Sequence, residues 1–169
     1  DAEGCRPQAG APPVEDQSES LFWSGTIDLT GDGQPERVRR AAERVHIYEG
    51  DREVWVSPPA WRVVDVALGD PNDDGRGELL VALWQHDPQG HERSQPFIVG
   101  FREGQYKVIW GGRPVANPLL EVALGDVDGD GAHEFLVLEQ VGDQSRLALW
   151  RWQGWNFSLL WRGEPGAYA

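Results

Sequence analysis

The chain has 169 residues, with 28 acidic side chains against 15 basic ones and a formal net charge of −13. That balance supplies no basic footprint for phosphate neutralisation, so it excludes nucleic-acid binding by counterion release and argues against docking on an anionic membrane. Apolar residues make up 40%, nine of them Trp, and no apolar run nears the ~18 residues that span a bilayer; neither whole-chain disorder nor a transmembrane segment fits.

Residues 1–20 come first and read as a flexible linker, because they hold three Pro, few apolar side chains and no periodicity. Cys5 is the sole cysteine, so no internal disulfide can form. It stands ahead of a Pro/Ala/Gly-rich run, where a lipid-anchored cysteine would stand; the other reading is a free thiol on a mobile tail. The chain holds no Met, which implies a removed signal peptide or a fragment of a longer protein.

From Leu21 onward an internal repeat sets the organisation. Three segments align, Asp28–Glu36, Asp70–Glu78 and Asp126–Glu134, with starts 42 and 56 residues apart. The second and third share the approach Val-Ala-Leu-Gly-Asp, at Val66–Asp70 and Val122–Asp126. Apolar runs follow at Leu79–Leu83 and Phe135–Leu138. Later in each unit comes a run closing on a Gly turn: Arg44–Gly50, Phe97–Gly104 and Leu147–Gly154. A last short run carries Trp55, Trp110 or Trp161. These runs are short, rich in Val, Leu and aromatics, and broken by Gly, Asp and Pro, which is strand chemistry. Arg37–Arg44 has helix-forming composition but fills the slot of a clear strand in the other units, so position outranks propensity and a strand is expected.

The expected fold is therefore all-β, with three four-stranded antiparallel units at about 21–60, 61–115 and 116–161 and a tail at 162–169. Four strands at this period describe a propeller-type blade, and an antiparallel sandwich is the alternative. Three such blades are too few to close a ring, so part of a larger or oligomeric propeller is expected. Both end faces should then be apolar, with Trp150, Trp152 and Phe157 as candidates on the third.

The loops fit D-x-[D/N/T]-x-D-G-x-x-E. Carboxylates at alternate positions of a tight loop can turn inward, Gly at position 6 permits the bend, and a hard cation such as Ca²⁺ wants such oxygens. Gly-Asp-Val-Asp-Gly-Asp-Gly-Ala-His-Glu-Phe-Leu-Val, at Gly125–Val137 between strands, resembles the FG-GAP/VCBS repeat, the calcium-binding blade of integrin alpha-chain propellers and many secreted bacterial proteins. The resemblance implies a β-propeller, one Ca²⁺ per acidic loop and an extracytoplasmic home: secreted, periplasmic or cell-surface. It also implies the ligands. These are Asp126, Asp128, Asp130 and Glu134 in the third loop; Asp70, Asn72, Asp74 and Glu78 in the second; Asp28, Asp32 and Glu36 in the first. Thr30 replaces a carboxylate or amide in the first loop, whose site should be weakest. Metal-free hairpin turns are the competing reading, since Asp-Gly pairs favour turns in any case.

Other residues offer less. His46, His86, His91 and His133 show no metal-ligand spacing, and His133 is expected to point to solvent. No nucleophile elbow and no phosphate-cradling loop occurs, so no catalytic residue is nominated. Trp150 and Trp152 share a strand face beside Trp155; packing between blades is the first reading and a stacking platform for a sugar the second. Arg37, Arg39, Arg40 and Arg44 read as a solvated strand face. The sequence thus implies a non-catalytic calcium-binding interaction module of a secreted or surface complex, bound to a protein partner or to itself. The alternative is a carbohydrate-binding or accessory domain of a secreted enzyme, with a glycan as ligand.

Overall fold

The computed structural model describes residues 23–112 and 118–166. The linker and Cys5 lie outside the described residues. Twelve strands occur and, among the described residues, no helix. The first sheet holds β1 (Trp23–Ile27), β2 (Glu36–Ala41), β3 (Arg44–Glu49) and β4 (Arg52–Val56). The second holds β5 (Arg62–Gly69), β6 (Glu78–His86), β7 (Glu92–Arg102) and β8 (Gln105–Gly111). The third holds β9 (Leu119–Gly125), β10 (Glu134–Val141), β11 (Gln144–Trp152) and β12 (Phe157–Arg162). Each sheet is an antiparallel meander in chain order, with every acidic loop joining its first strand to its second. Three antiparallel four-stranded units are what the repeat requires. Beyond β12, Gly166 bridges back to Ser145.

The helix-forming segment Arg37–Arg44 is a strand only as far as Ala41, and its last residues make a hairpin turn and open the next strand. β2 runs through Arg37–Ala41, then turns at Ala42 (φ 47) and Glu43 (φ 61) into β3. Two positive-φ residues in a two-residue loop suit the twist of a hairpin, even though a non-glycine residue there costs roughly 1 kcal/mol. The hairpin is secured from the second sheet, where Val63 N–H donates to the Glu43 carbonyl at 2.8 Å.

The units also match in their irregularities. A register shift lies between Ile47 and Tyr48, between Ile98 and Val99, and between Leu149 and Trp150. Just before it, Ile47 pairs with Trp55, Ile98 with Trp110 and Leu149 with Trp161. One extra residue at the same place in each fourth strand, Val54, Ile109 or Leu160, makes the bulge a feature of the repeat, not of one turn.

Two cores join the sheets. Val38, Val45 and Ile47 of the first sheet meet Val63, Leu79, Val81, Leu83, Phe97 and Val99 of the second. Ala67, Leu80, Ala82 and Ile98, on the opposite face of the second sheet, meet Leu119, Val122, Phe135, Val137, Ala148, Trp150 and Phe157 of the third. Alternation along the strands separates the two sets, which is why β6 reads as an unbroken apolar run: both of its faces are covered. Burying each Val, Leu, Ile or Phe among them contributes about 1.5–3 kcal/mol.

Polar contacts cross the same boundaries. Arg40 Nη1 donates to the Val64 carbonyl at 2.6 Å. Asp65 Oδ2 accepts from Val122 N–H at 2.9 Å, and Ser94 Oγ accepts from Leu119 N–H at 2.9 Å.

Two expectations about the end faces need correction. Trp150, Trp152 and Phe157 do not point outward from the third sheet; they pack toward the second, with Trp150 and Phe157 only 8% and 5% exposed. Alternation shows that Trp150 and Trp152 share a face but not which face meets a neighbour. The outer face of the first sheet is not the apolar surface expected. It carries Arg37 and Arg39, opposite Tyr48 and His46. Arg37 lies over the Tyr48 ring at 4.6 Å, so this end is finished with charge and cation–π contact.

Three equivalent acidic loops

Each loop is built on its first aspartate. Asp28 accepts from Gly31 and Gly33 N–H at 2.7 and 2.8 Å. Asp70 accepts from Asp74 and Gly75 N–H at 3.1 and 2.7 Å. Asp126 accepts from Gly129, Asp130 and Gly131 N–H at 2.6, 3.1 and 2.9 Å. The bend needs glycine at the sixth position, where Gly33, Gly75 and Gly131 take φ of 84, 82 and 93°. The fifth-position aspartates then accept from the seventh backbone N–H: Asp32 from Gln34, Asp74 from Arg76 and Asp130 from Ala132. Hydrogen bonds from Gly33 first, then from Gly31 and Asp32, hold the Asp28 carboxyl below the usual carboxylate range against the burial that opposes them.

The ninth-position glutamate closes each loop from inside. Glu36, Glu78 and Glu134 are 3%, 0% and 1% exposed. Carboxylate oxygens of Asp28, Asp32 and Glu36 lie within 4.8 Å of one another, as do those of Asp70, Asp74 and Glu78 and those of Asp126, Asp128 and Glu134. Those nine predicted ligands are therefore brought together three by three. Asn72 sits beside the second triad, its Nδ2 donating to Asp74 at 3.3 Å. Asp130 enters the third group through an arginine.

That arginine had no signal in the loop motif. Arg151 on β11 donates to Asp128 Oδ2 at 2.6 Å and to Glu134 Oε1, and lies 3.2 Å from Asp130 Oδ2. Arg102 on β7 does the same in the second loop, donating to Asp74 Oδ2 and Glu78 Oε1. Its hydrogen bond from Arg151 is the main reason Asp128 ionises more readily than a free aspartate. Hydrogen bonds to Glu134 and then Asp128 raise the affinity of Arg151 for its proton in return. The first loop has no such cation among its described contacts; Thr30 Oγ1 donates to Glu36 Oε1 at 3.3 Å instead.

One atom separates the second loop from its companions. Leu29 N–H donates to Glu36 Oε2 at 2.6 Å, and Val127 N–H donates to Glu134 Oε2 at 2.8 Å. Residue 71 is Pro and has no N–H to give. Glu78 Oε2 is accordingly buried without a hydrogen-bond partner. Burial, countered by Arg102 and reinforced by the charges of Asp74 and Asp70, pushes the Glu78 carboxyl up to about 7. An unsatisfied buried carboxylate oxygen in a loop that also holds Asp70 and Asp74 fits a divalent cation by the chemistry of its donors.

His133 does not point to solvent as expected. Its Nδ1 accepts from Asp70 N–H at 3.2 Å, and its ring fills the space over Gly69, where a Cβ would come within 2.8 Å. It joins the second and third loops as a packing group. Arg40 is likewise a bridge to the second sheet, and Arg44 donates to Ser57, so only Arg37 and Arg39 of that cluster keep to the outer face. Of the three clustered tryptophans, Trp152 stacks edge-on to Trp110 at 5.7 Å, and Trp155 alone is largely exposed, at 68%.

No family model matches the chain, and no curated protein matches it in sequence. The loops and their repetition carry the functional argument.

Proposed function

We propose that the chain is a non-catalytic, calcium-binding interaction module that works outside the cytoplasm, built on repeats akin to the FG-GAP/VCBS blade. The observation that carries this reading is a carboxylate triad in the same loop of all three sheets, drawn from loop positions 1, 5 and 9 in the first two and 1, 3 and 9 in the third, with an orphaned Glu78 oxygen in the second. All donors are hard oxygens, as calcium prefers. The ligands would be Asp28, Asp32 and Glu36; Asp70, Asn72, Asp74 and Glu78; and Asp126, Asp128, Asp130 and Glu134. Three ions would offset about half of the −13 formal charge.

Several features support the rest of the reading. Shallow, solvent-facing loops with few ligands suit the weak sites of extracellular modules, with Kd of roughly 10⁻⁴–10⁻³ M. The aspartates are engaged by backbone N–H groups and arginines, which leaves them poorly placed for acid–base turnover. The first strands of neighbouring sheets, β1 with β5 and β5 with β9, lie against each other while the sheets pack face to face, an arrangement that supports a blade-like assembly.

Calorimetric titration and thermal melting of chelated protein test this directly. Each filled site should add about 2.7 kcal/mol at a hundredfold excess of calcium over Kd. A melting temperature that calcium at tens of millimolar, well above that Kd range, leaves unmoved in verified metal-free protein would overturn the calcium reading.

A further inference from the structure

The repeat allows the two faces of each sheet to be compared position by position. The face that the second sheet turns toward the third carries Asp65, Ala67, Leu80, Ala82, Ile98 and Trp110. Counted from the loop aspartate and followed across the paired strands, the same positions in the third sheet are Glu121, Ala123, Leu136, Leu138, Leu149 and Trp161. The two sets match in chemistry, but they differ in what covers them. Leu80, Ala82 and Ile98 are fully buried, while Leu136, Leu138 and Leu149 are only half-buried and Trp161 is 53% exposed. A Cβ on Gly69 would strike His133 and Leu124, whereas one on Gly125 would meet nothing within 4 Å. Asp65 accepts a hydrogen bond from the neighbouring sheet, while Glu121 is exposed at the rim of a shallow apolar groove of about 90 Å³ lined by Ala123, Leu136, Leu138 and Leu147.

The opposite end of the molecule cannot serve as the cover. Leu79 and Val81, and Phe135 and Val137, face back toward the preceding sheet; the corresponding residues of the first sheet are Arg37 and Arg39. Laying that end on the leucine face would bury guanidinium groups against hydrocarbon, at heavy desolvation cost. Of the two end faces, that leaves the leucine face itself. Its centre is also poor in charge, with Glu121 the one carboxylate among the six positions of the third sheet, which suits contact with a second copy of a chain of −13 charge.

We propose that the outer face of the third sheet is a self-association surface, covered in solution by the same face of a second copy. The contact is isologous, so it is self-limiting: once made, the assembly ends in two arginine-bearing faces and presents no further leucine face. The groove between Ala123 and the leucines receives an apolar side chain of the partner. The proposal names the partner for the interaction-module reading and rests on that half of it alone.

Light scattering coupled to gel filtration, at tens of micromolar and with chelator present and absent, tests it. The expected mass is twice the 18.8 kDa of one chain in both conditions, which keeps the outcome separate from that for calcium. Leu138→Lys and Leu149→Lys, on different strands of the face, should each weaken association by about a hundredfold or more, since two lysines would be buried per contact. Circular dichroism shows whether each variant keeps its fold. Arg39→Glu on the other end should leave the dimer intact. A single-chain mass for the unmodified protein overturns the proposal. So does a folded lysine variant that stays dimeric, or a dimer lost in Arg39→Glu.

Discussion

The second and third loops share their first and fifth aspartates, their buried glutamate and an arginine from the third strand, yet they differ at the third position, Asn72 against Asp128, and in one backbone donor. Val127 gives Glu134 a hydrogen bond that Pro71 denies to Glu78. The third loop is satisfied within the protein, while the second holds a buried oxygen that only a cation, a proton or a bound water can satisfy. The missing N–H, together with Asn72, thus sets the second loop apart as the one with unsatisfied buried oxygens.

The largest expected difference is between the two glutamates. Without metal, Glu134→Leu strands the Val127 N–H and removes a buried partner of Arg151, so it should cost about 3 kcal/mol or more. Glu78→Leu removes an acid that is already half unsatisfied and should cost markedly less in denaturant melts. Equal losses would erase the distinction drawn from Pro71.

The next expectation concerns pH. Glu78 binds its proton more tightly in the folded chain, at about 7, than an ordinary glutamate does at 4.5, so the folded state holds the extra proton between those limits. Its contribution to metal-free stability is fully present below 4.5 and lost as the pH rises through 7, on the order of a few kcal/mol. Pro71→Ala should restore the donor and flatten that slope, with proline's chain-stiffening benefit of about 0.4–1 kcal/mol given up at all pH values. An unchanged slope in Pro71→Ala would mean that burial alone, not the absent N–H, sets the proton affinity.

The smallest effect should come from the arginines. Arg151 and Arg102 occupy carboxylate oxygens that a cation would also use, so Arg151→Gln should tighten calcium binding at the third loop several-fold in a titration. Arg102→Gln should do the same at the second. Weaker binding in both variants would show that the guanidinium groups hold the ligands in place instead of competing for them.

The repeat made most of this legible. Val66–Asp70 and Val122–Asp126 announced equivalent strands, and equivalence settled Arg37–Ala41 as a strand against its composition. The acidic positions could be read because a turn spacing dictates which carboxylates converge. Arg102 and Arg151 could not, because they reach the loops across the sheet from residues 24 and 17 positions after the glutamates. Pro71 was legible in principle: Asp-Pro stands where Asp-Leu and Asp-Val stand in the other loops, but its meaning depends on knowing that the second residue donates inward. The outer faces lay in plain sight too, as Arg37 and Arg39 against Leu79 and Val81.

The burial of β6 on both sides also sets an order of events in folding. Among the described residues of a single chain, its sheet is the one packed on both faces, so below the concentrations of self-association its amides should be the last to take up deuterium. During synthesis, Leu80, Ala82 and Ile98 stay uncovered until the final third of the chain has emerged. The third sheet is therefore both the last to fold and the lid that takes the sticky intermediate out of reach of aggregation.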